Sequence, residues 1–274
     1  MQEQGYQKAL EDHSPFLPQL NHRDSEIVDT LHQEGVCVLP IESLDLPSTD
    51  SMMERAYLLA DNLRNIPDDD NKIESCEVAP EKEDLREFPE VLRWALEPRL
   101  LDIVENYIGL PIIYQGFGVR RSVADGKYSG VRRWHIDWED RRTIKVIIYL
   151  NDVTSGGGPY EYIPRPLTEE AIEKLNYYNL GFISDEDMSQ AIAQENWSTC
   201  FANKGTVVIT DSSNVFHRAQ PPTDTERFSI TFCYTSYTPQ VIWRSRKISR
   251  QEWELFDSSI SQRQRDCLTK RRFG

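Results

Sequence analysis

Hydrophobic positions along this chain change their period near residue 111, and the change divides the chain into two kinds of structure. Before it, apolar residues recur at steps of three and four, the spacing of one helix face. Ile27, Val28 and Leu31 mark a helix from Asp24 to Glu34, which Gly35 stops. Val36–Leu39 reads as a short strand before Pro40, and Ser51–Asn65 as a helix closed by Ile66-Pro67. Residues 89–108 carry a longer helical pattern that Pro98 should split, because an internal proline breaks the hydrogen-bond ladder. Residues 1–22 are polar, with Pro15 and Pro18, and read as a loose leader; 67–84 are charged and turn-rich and read as an exposed loop.

From residue 111 the period is two, as in strands. Ile112–Val119 reads as a strand in which Gly116 and Gly118 mark a bulge or a close backbone approach. Val131–Trp138 and Thr143–Leu150 follow, then a turn at Gly156–Pro159 and a short strand at Tyr160–Ile163. Residues 167–204 interrupt the strands with helical patterns and aromatics, which reads as a mobile lid over an opening. Strands resume at Thr206, and a terminal helix is expected from about Arg250 to Leu268. The expected fold is α+β with a mainly β antiparallel core, a jelly-roll (double-stranded β-helix) barrel carrying N-terminal helices and a C-terminal helix. After the leader, residues 23–274 form one domain: a helical part 23–110, a barrel 111–240 containing the insertion, and a helical extension 241–274.

The strands carry the candidate chemistry. One dipeptide step returns a side chain to the same face, so His135 and Asp137 point one way and Ile136 the other. His217 lies on a later strand that a jelly roll can fold over the first. Two imidazoles and one carboxylate with open positions suit non-haem Fe(II) that must also bind oxygen and a co-substrate. On the strand after Asp224, Arg227, Ser229 and Thr231 share one face while Phe228, Ile230 and Phe232 share the other. The polar face is a carboxylate receptor, since a guanidinium matches a carboxylate with two parallel bonds. Lys145, Ile147 and Tyr149 share a face of a neighbouring strand, and Lys145 or Tyr149 could hydrogen-bond a co-substrate or substrate. Asp211 reads as the cap of the turn before His217, and Trp138 as barrel wall.

Over about Tyr107 to Tyr237 the sequence resembles the Fe(II)- and 2-oxoglutarate-dependent oxygenases, and most closely their phytanoyl-CoA dioxygenase-like group. The resemblance is carried by Trp134-His135-Ile136-Asp137, Lys145–Val153, Gly157-Gly158-Pro159 through Ile163-Pro164, Asp211, His217-Arg218 and Arg227-Phe228-Ser229. It implies that His135, Asp137 and His217 bind Fe(II). It implies that Arg227 with Ser229 holds the distal carboxylate of 2-oxoglutarate, and that O2 hydroxylates a small-molecule substrate with release of succinate and carbon dioxide. Where the family usually continues Gly-Ser-His after this Ile-Pro, the chain has Arg165-Pro166-Leu167. That loop is expected to border the substrate. Arg165 is expected to meet an anionic or polar part of the substrate, or else to pair with Glu169 or Glu170. Trp134 and Arg218, beside the ligands, are further substrate candidates, Arg218 equally a support for the ligand next to it.

Composition narrows the alternatives. A net charge of −14 argues against a nucleic-acid partner, which needs a basic surface. No apolar run reaches the roughly 18–20 residues of a membrane span. Five cysteines without a CxxC pair point to a reducing cytoplasm. Two rival readings stay open at this point: a non-oxidative barrel that binds a small molecule, and an oxygenase acting on a protein.

Overall fold

The computed structural model describes residues 2–65, 77–78, 88–178, 181–240 and 260–268. Most of the expected loop 67–84 and the first part of the expected terminal helix lie outside them. The N-terminal part is helical: α1 (Gln2–His13), α2 (His22–Glu34), α3 (Thr49–Arg64), α4 (Pro89–Ala95) and α5 (Pro98–Ile108). The 89–108 pattern is split as expected, and Pro98 stands at the first position of α5, where its fixed φ and missing N–H are tolerated. The leader differs from expectation. Although few of its residues are apolar, Tyr6, Ala9 and Leu10 stand at helical spacing in α1 and pack on the core, and His13 at its end meets Glu105 of α5 at 3.0 Å. The helix α2 begins where the Asn21 side chain accepts the Asp24 amide (2.9 Å) and ends at Gly35 in the left-handed conformation (φ 80°).

The strands are β1 (Val36–Pro40), β2 (Glu77–Val78), β3 (Ile112–Ser122), β4 (Ile144–Tyr149), β5 (Tyr160–Tyr162), β6 (Ser198–Cys200), β7 (Thr206–Asp211), β8 (His217–Ala219) and β9 (Arg227–Ser236). They form a six-stranded sheet in the order β1-β7-β4-β9-β3-β2 and a three-stranded sheet in the order β6-β5-β8. Every pairing is antiparallel, and β3 carries its bulge between Tyr114 and Gly116, where a glycine marked it. This is the double-stranded β-helix with helices laid on one side. The segment 131–138 is not a continuous strand. A 3-10 turn covers Gly130–Arg132, and only isolated bridges follow, Trp134 to Ile183 and His135 to His217.

Alternation on the large sheet explains how it is used. Ile144, Val146 and Ile148 of β4, Val207 and Ile209 of β7, and Phe228, Ile230 and Phe232 of β9 face the helices in one buried cluster. Lys145, Ile147, Thr210, Arg227, Ser229 and Thr231 face the other way, into the space under the small sheet. The insertion is built from α6 (Arg165–Leu175) and α7 (Asp185–Ala191). A last helix, α8 (Gln262–Leu268), is what the described residues show of the C-terminal one. No described helix is long and apolar enough to cross a membrane.

Gly35 couples the helix layer to the loop before β8. A Cβ there would lie 2.3 Å from Cγ1 of the fully buried Val215. Gly35→Ala is expected to lose about 1–2 kcal/mol to the left-handed backbone and a further 1–3 kcal/mol, roughly, to overpacking. Urea denaturation measures the sum, and an unchanged midpoint would contradict this packing.

Candidate metal centre and cavity

The three expected ligands meet. One donor atom from each of His135, Asp137 and His217 falls within 4.8 Å of the others. His135 Nε2 lies 3.8 Å from Asp137 Oδ1, and His217 Nε2 lies 3.5 Å from Asp137 Oδ2. Backbone pairing enforces the meeting: His135 and His217 exchange amide and carbonyl bonds (3.1 and 3.0 Å), and the Asp137 amide bonds to the Ser212 carbonyl (2.9 Å). Each imidazole is also oriented from behind. His135 Nδ1 is 2.8 Å from the Arg133 carbonyl, and His217 Nδ1 is 3.1 Å from the Val215 carbonyl. A carbonyl only accepts, so each Nδ1 carries the proton and each Nε2 lone pair is directed inward. Burial pushes His217 down to about 3, which keeps it neutral. Burial alone would raise the Asp137 carboxyl, but the Lys145 ammonium overrides it and holds it below the usual carboxylate range. Two imidazole nitrogens and one carboxylate, converging and supported, fit a divalent ion of the iron type. Asp211 takes no part. It caps its turn, accepting from the Ser213 and Thr143 amides, and is held by the Tyr107 hydroxyl at 2.5 Å.

The donors stand at one side of a cavity of about 130 Å³ between the sheets. Across it the large sheet presents Lys145, Thr210, Arg227, Ser229 and Thr231. Arg227 is buried, with Nη1 donating to the Gly158 carbonyl (2.5 Å) and Nη2 to Ser122 Oγ (3.3 Å), so its guanidinium is fixed. The lining also includes Tyr160, Thr210 and Arg120, none of them a candidate from the sequence pattern. Tyr160 bonds Thr210 through its hydroxyl (2.9 Å) and stacks on His217 with ring centroids 5.7 Å apart. Arg120 stands opposite Ser229 in the β3–β9 register. The alternation Gly118-x-Arg120 could have flagged Arg120; β5 is too short for any period to flag Tyr160.

Other expected residues do different work. Lys145 donates to Asp137 Oδ2, so it supports the carboxylate. Tyr149 is fully buried, donates to the Cys200 carbonyl (3.2 Å) and accepts the Tyr160 amide (2.9 Å); it anchors the small sheet and does not line the cavity. Trp134 is fully buried too, with Nε1 donating to Asp185 (3.0 Å) and its ring edge-on to Trp197 (4.9 Å). Arg165 begins α6 instead of a loop, and its Nη1 donates to the Tyr107 hydroxyl (3.0 Å) rather than pairing with Glu169 or Glu170. Trp138 is 45% exposed and is no wall.

Arg218 is committed to the insertion. It binds Glu161 through Nε (2.6 Å), pairs with Asp185, and lies over the rings of Trp134 (4.6 Å) and Trp197 (5.5 Å). Burial pushes the guanidinium down to about 10, so it stays charged at neutral pH. The insertion thus forms a wall with its own apolar cluster of Ile163, Ala171, Met188, Ile192 and Phe216 around Trp134. From it Phe182 reaches His135, ring centroids 5.4 Å apart, while staying 44% exposed.

Comparison with known proteins supports the same class of protein. Residues 123–235 match the family model of the 2OG-Fe(II) oxygenase superfamily, a segment that includes His135, Asp137, His217, Arg227 and Ser229. Among solved structures, the fold is similar to EctD from S. alaskensis with bound Fe, at 18% identity and a TM-score of 0.54, covering 81% of this chain and 80% of that one. It is similar to HygX from Streptomyces hygroscopicus with nickel, 2-oxoglutarate and hygromycin B bound, at 16% identity and a TM-score of 0.52, covering 79% and 88%. The epimerase SnoN in complex with Fe3+, alpha ketoglutarate and nogalamycin RO shares the fold at 14% identity and a TM-score of 0.51, covering 79% and 84%. No curated protein matches the sequence significantly. Family model and fold together support the 2OG-Fe(II) oxygenase superfamily.

The Arg218 clamp makes a stability prediction. Arg218→Met leaves Glu161 buried without its cation and should cost roughly 3–5 kcal/mol. Adding Glu161→Gln should recover part of that loss. Thermal unfolding measures both, and a single variant as stable as the parent would show that the pair holds nothing.

Proposed function

We propose that this protein is an Fe(II)- and 2-oxoglutarate-dependent dioxygenase that hydroxylates a small molecule, releasing succinate and carbon dioxide. Within the superfamily we place it with the phytanoyl-CoA dioxygenase-like group, on the motif around His135 and the segments that follow. One observation carries the reading: two inward Nε2 atoms and a carboxylate converge at the side of a cavity whose opposite wall presents Arg227 and Ser229. Bound Fe(II) would couple activation of O2 to the oxidative decarboxylation of 2-oxoglutarate.

The side chains do the rest. His135, Asp137 and His217 would hold the ion. The fixed fork of Arg227, with the Ser229 hydroxyl, receives the far carboxylate and so sets the direction of the keto acid. The cavity is small, about 130 Å³. Phe182, half-exposed against His135, marks the side from which the group to be oxidised would approach. Tyr160 and Phe182, against the two imidazoles, exclude water from that side. The net charge of −14 supports a small molecule over nucleic acid, and free cysteines at 37, 200, 233 and 267 support a reducing, cytoplasmic setting.

His135→Ala, Asp137→Ala and His217→Ala are each expected to abolish succinate formation from 2-oxoglutarate while circular dichroism shows the fold intact. Full turnover in Asp137→Ala would refute the ligand set. Arg227→Ala should raise the 2-oxoglutarate requirement about ten- to hundredfold, the loss of a charge-assisted bond worth roughly 1.5–3 kcal/mol, and leave the iron requirement near its original value. An unchanged 2-oxoglutarate KM would move the anchor elsewhere.

A further inference from the structure

Glu139, in the bend that follows Asp137, approaches the same ammonium as the metal ligand. Lys145 Nζ stands between two carboxylates: it pairs closely with Asp137 Oδ2 and lies 3.9 Å from Glu139 Oε1. Its stem is fixed by the sheet, opposite Thr210 of β7 and Cys233 of β9. Glu139 is held as well, its Oε2 accepting the Trp138 amide at 3.1 Å. The oxygen that Lys145 grips is the one nearest His217 Nε2, at 3.5 Å. A divalent ion entering between the imidazoles would therefore meet an ammonium already bound to its third ligand.

We propose that Lys145 is a tethered counter-ion that stands in for the metal's charge on Asp137 and is passed to Glu139 when the ion binds. The proposal rests on the reading of His135, Asp137 and His217 as metal ligands. Its physics is simple. A buried carboxylate needs a cation, and Lys145 supplies it before metal arrives, which keeps Asp137 in place between the imidazoles. Once a divalent ion is present, two like charges a few ångströms apart in a weakly screened interior repel. Glu139 offers the ammonium a second carboxylate 3.9 Å away, so Lys145 keeps a partner when it leaves Asp137. Metal affinity is then set by two side chains that are not ligands, and the two act in opposite directions. Lys145 opposes binding by competing for Asp137, and Glu139 favours it by taking Lys145 away.

Calorimetric titration with Mn2+, in the absence of 2-oxoglutarate, tests this on the full chain. Lys145→Met should tighten Mn2+ binding by about tenfold or more, since a competing charge is removed. Glu139→Gln should weaken it by about three- to tenfold. In the double variant the Glu139→Gln effect should vanish, because no ammonium is left to be drawn off. Lys145→Arg, which keeps the charge, should stay close to the parent. Should Lys145→Met fail to fold, Lys145→Gln, a neutral donor, must show the same tightening. Unchanged or weaker Mn2+ binding in the neutral variants overturns the proposal, as does a Glu139→Gln effect of equal size with and without Lys145. If the parent bound no Mn2+ in a manner abolished by His135→Ala, the metal-centre reading itself would fall. Normal parent binding with indifferent Lys145 variants removes the counter-ion alone.

Discussion

A carboxylate set between two imidazoles and largely withdrawn from solvent is the constraint around which this molecule is arranged. Burying a charge is costly unless a cation and hydrogen-bond donors stand against it. Asp137 meets that condition with Lys145 from the large sheet, while its own backbone is tied to Ser212 at the entry to β8. The two sheets therefore cannot be placed independently. His135 and His217 are paired through their backbones on the small-sheet side, and Lys145 and Arg227 project from the large one. The cavity is the gap that this opposition leaves.

The helices serve that gap at one remove. Tyr107 of α5 donates to Asp211, and Asp211 fixes the turn from which the His217 strand departs. Arg165, at the start of α6, binds the same Tyr107 hydroxyl, and His32 of α2 packs on its ring with centroids 4.7 Å apart. Helix layer, ligand loop and insertion thus share one polar junction. On the other side of the small sheet, Arg218 joins β8 to α7 by charge and by stacking on three aromatic rings. Both junctions sit a few residues from His217, which explains why so much polar chemistry is buried beside a site that does not use it.

What could be read from the sequence follows from what strand alternation encodes. It gives direction: His135 and Asp137 meet on one side, and Arg227, Ser229 and Thr231 share a face, even though 131–138 is a segment with two bridges and no ladder. It does not give depth. Tyr149 shares the inward face with Lys145 but ends under β5, where its hydroxyl is consumed by backbone groups. Arg165 and Trp134 were judged from their neighbours in sequence, whereas their partners Tyr107 and Asp185 come from distant elements. The N-terminal helix was missed because its apolar face is only three residues wide and becomes stable by docking on a core that other segments build.

The central claim is that these two histidines and one aspartate hold a divalent ion that 2-oxoglutarate then chelates. An anaerobic crystal structure with iron and 2-oxoglutarate, using anomalous scattering at the iron edge, addresses it directly. The account predicts one anomalous peak bonded to His135 Nε2, His217 Nε2 and an Asp137 oxygen, with the far carboxylate of the keto acid on Arg227. A cavity without that peak, or an ion bound away from these three residues, would contradict it.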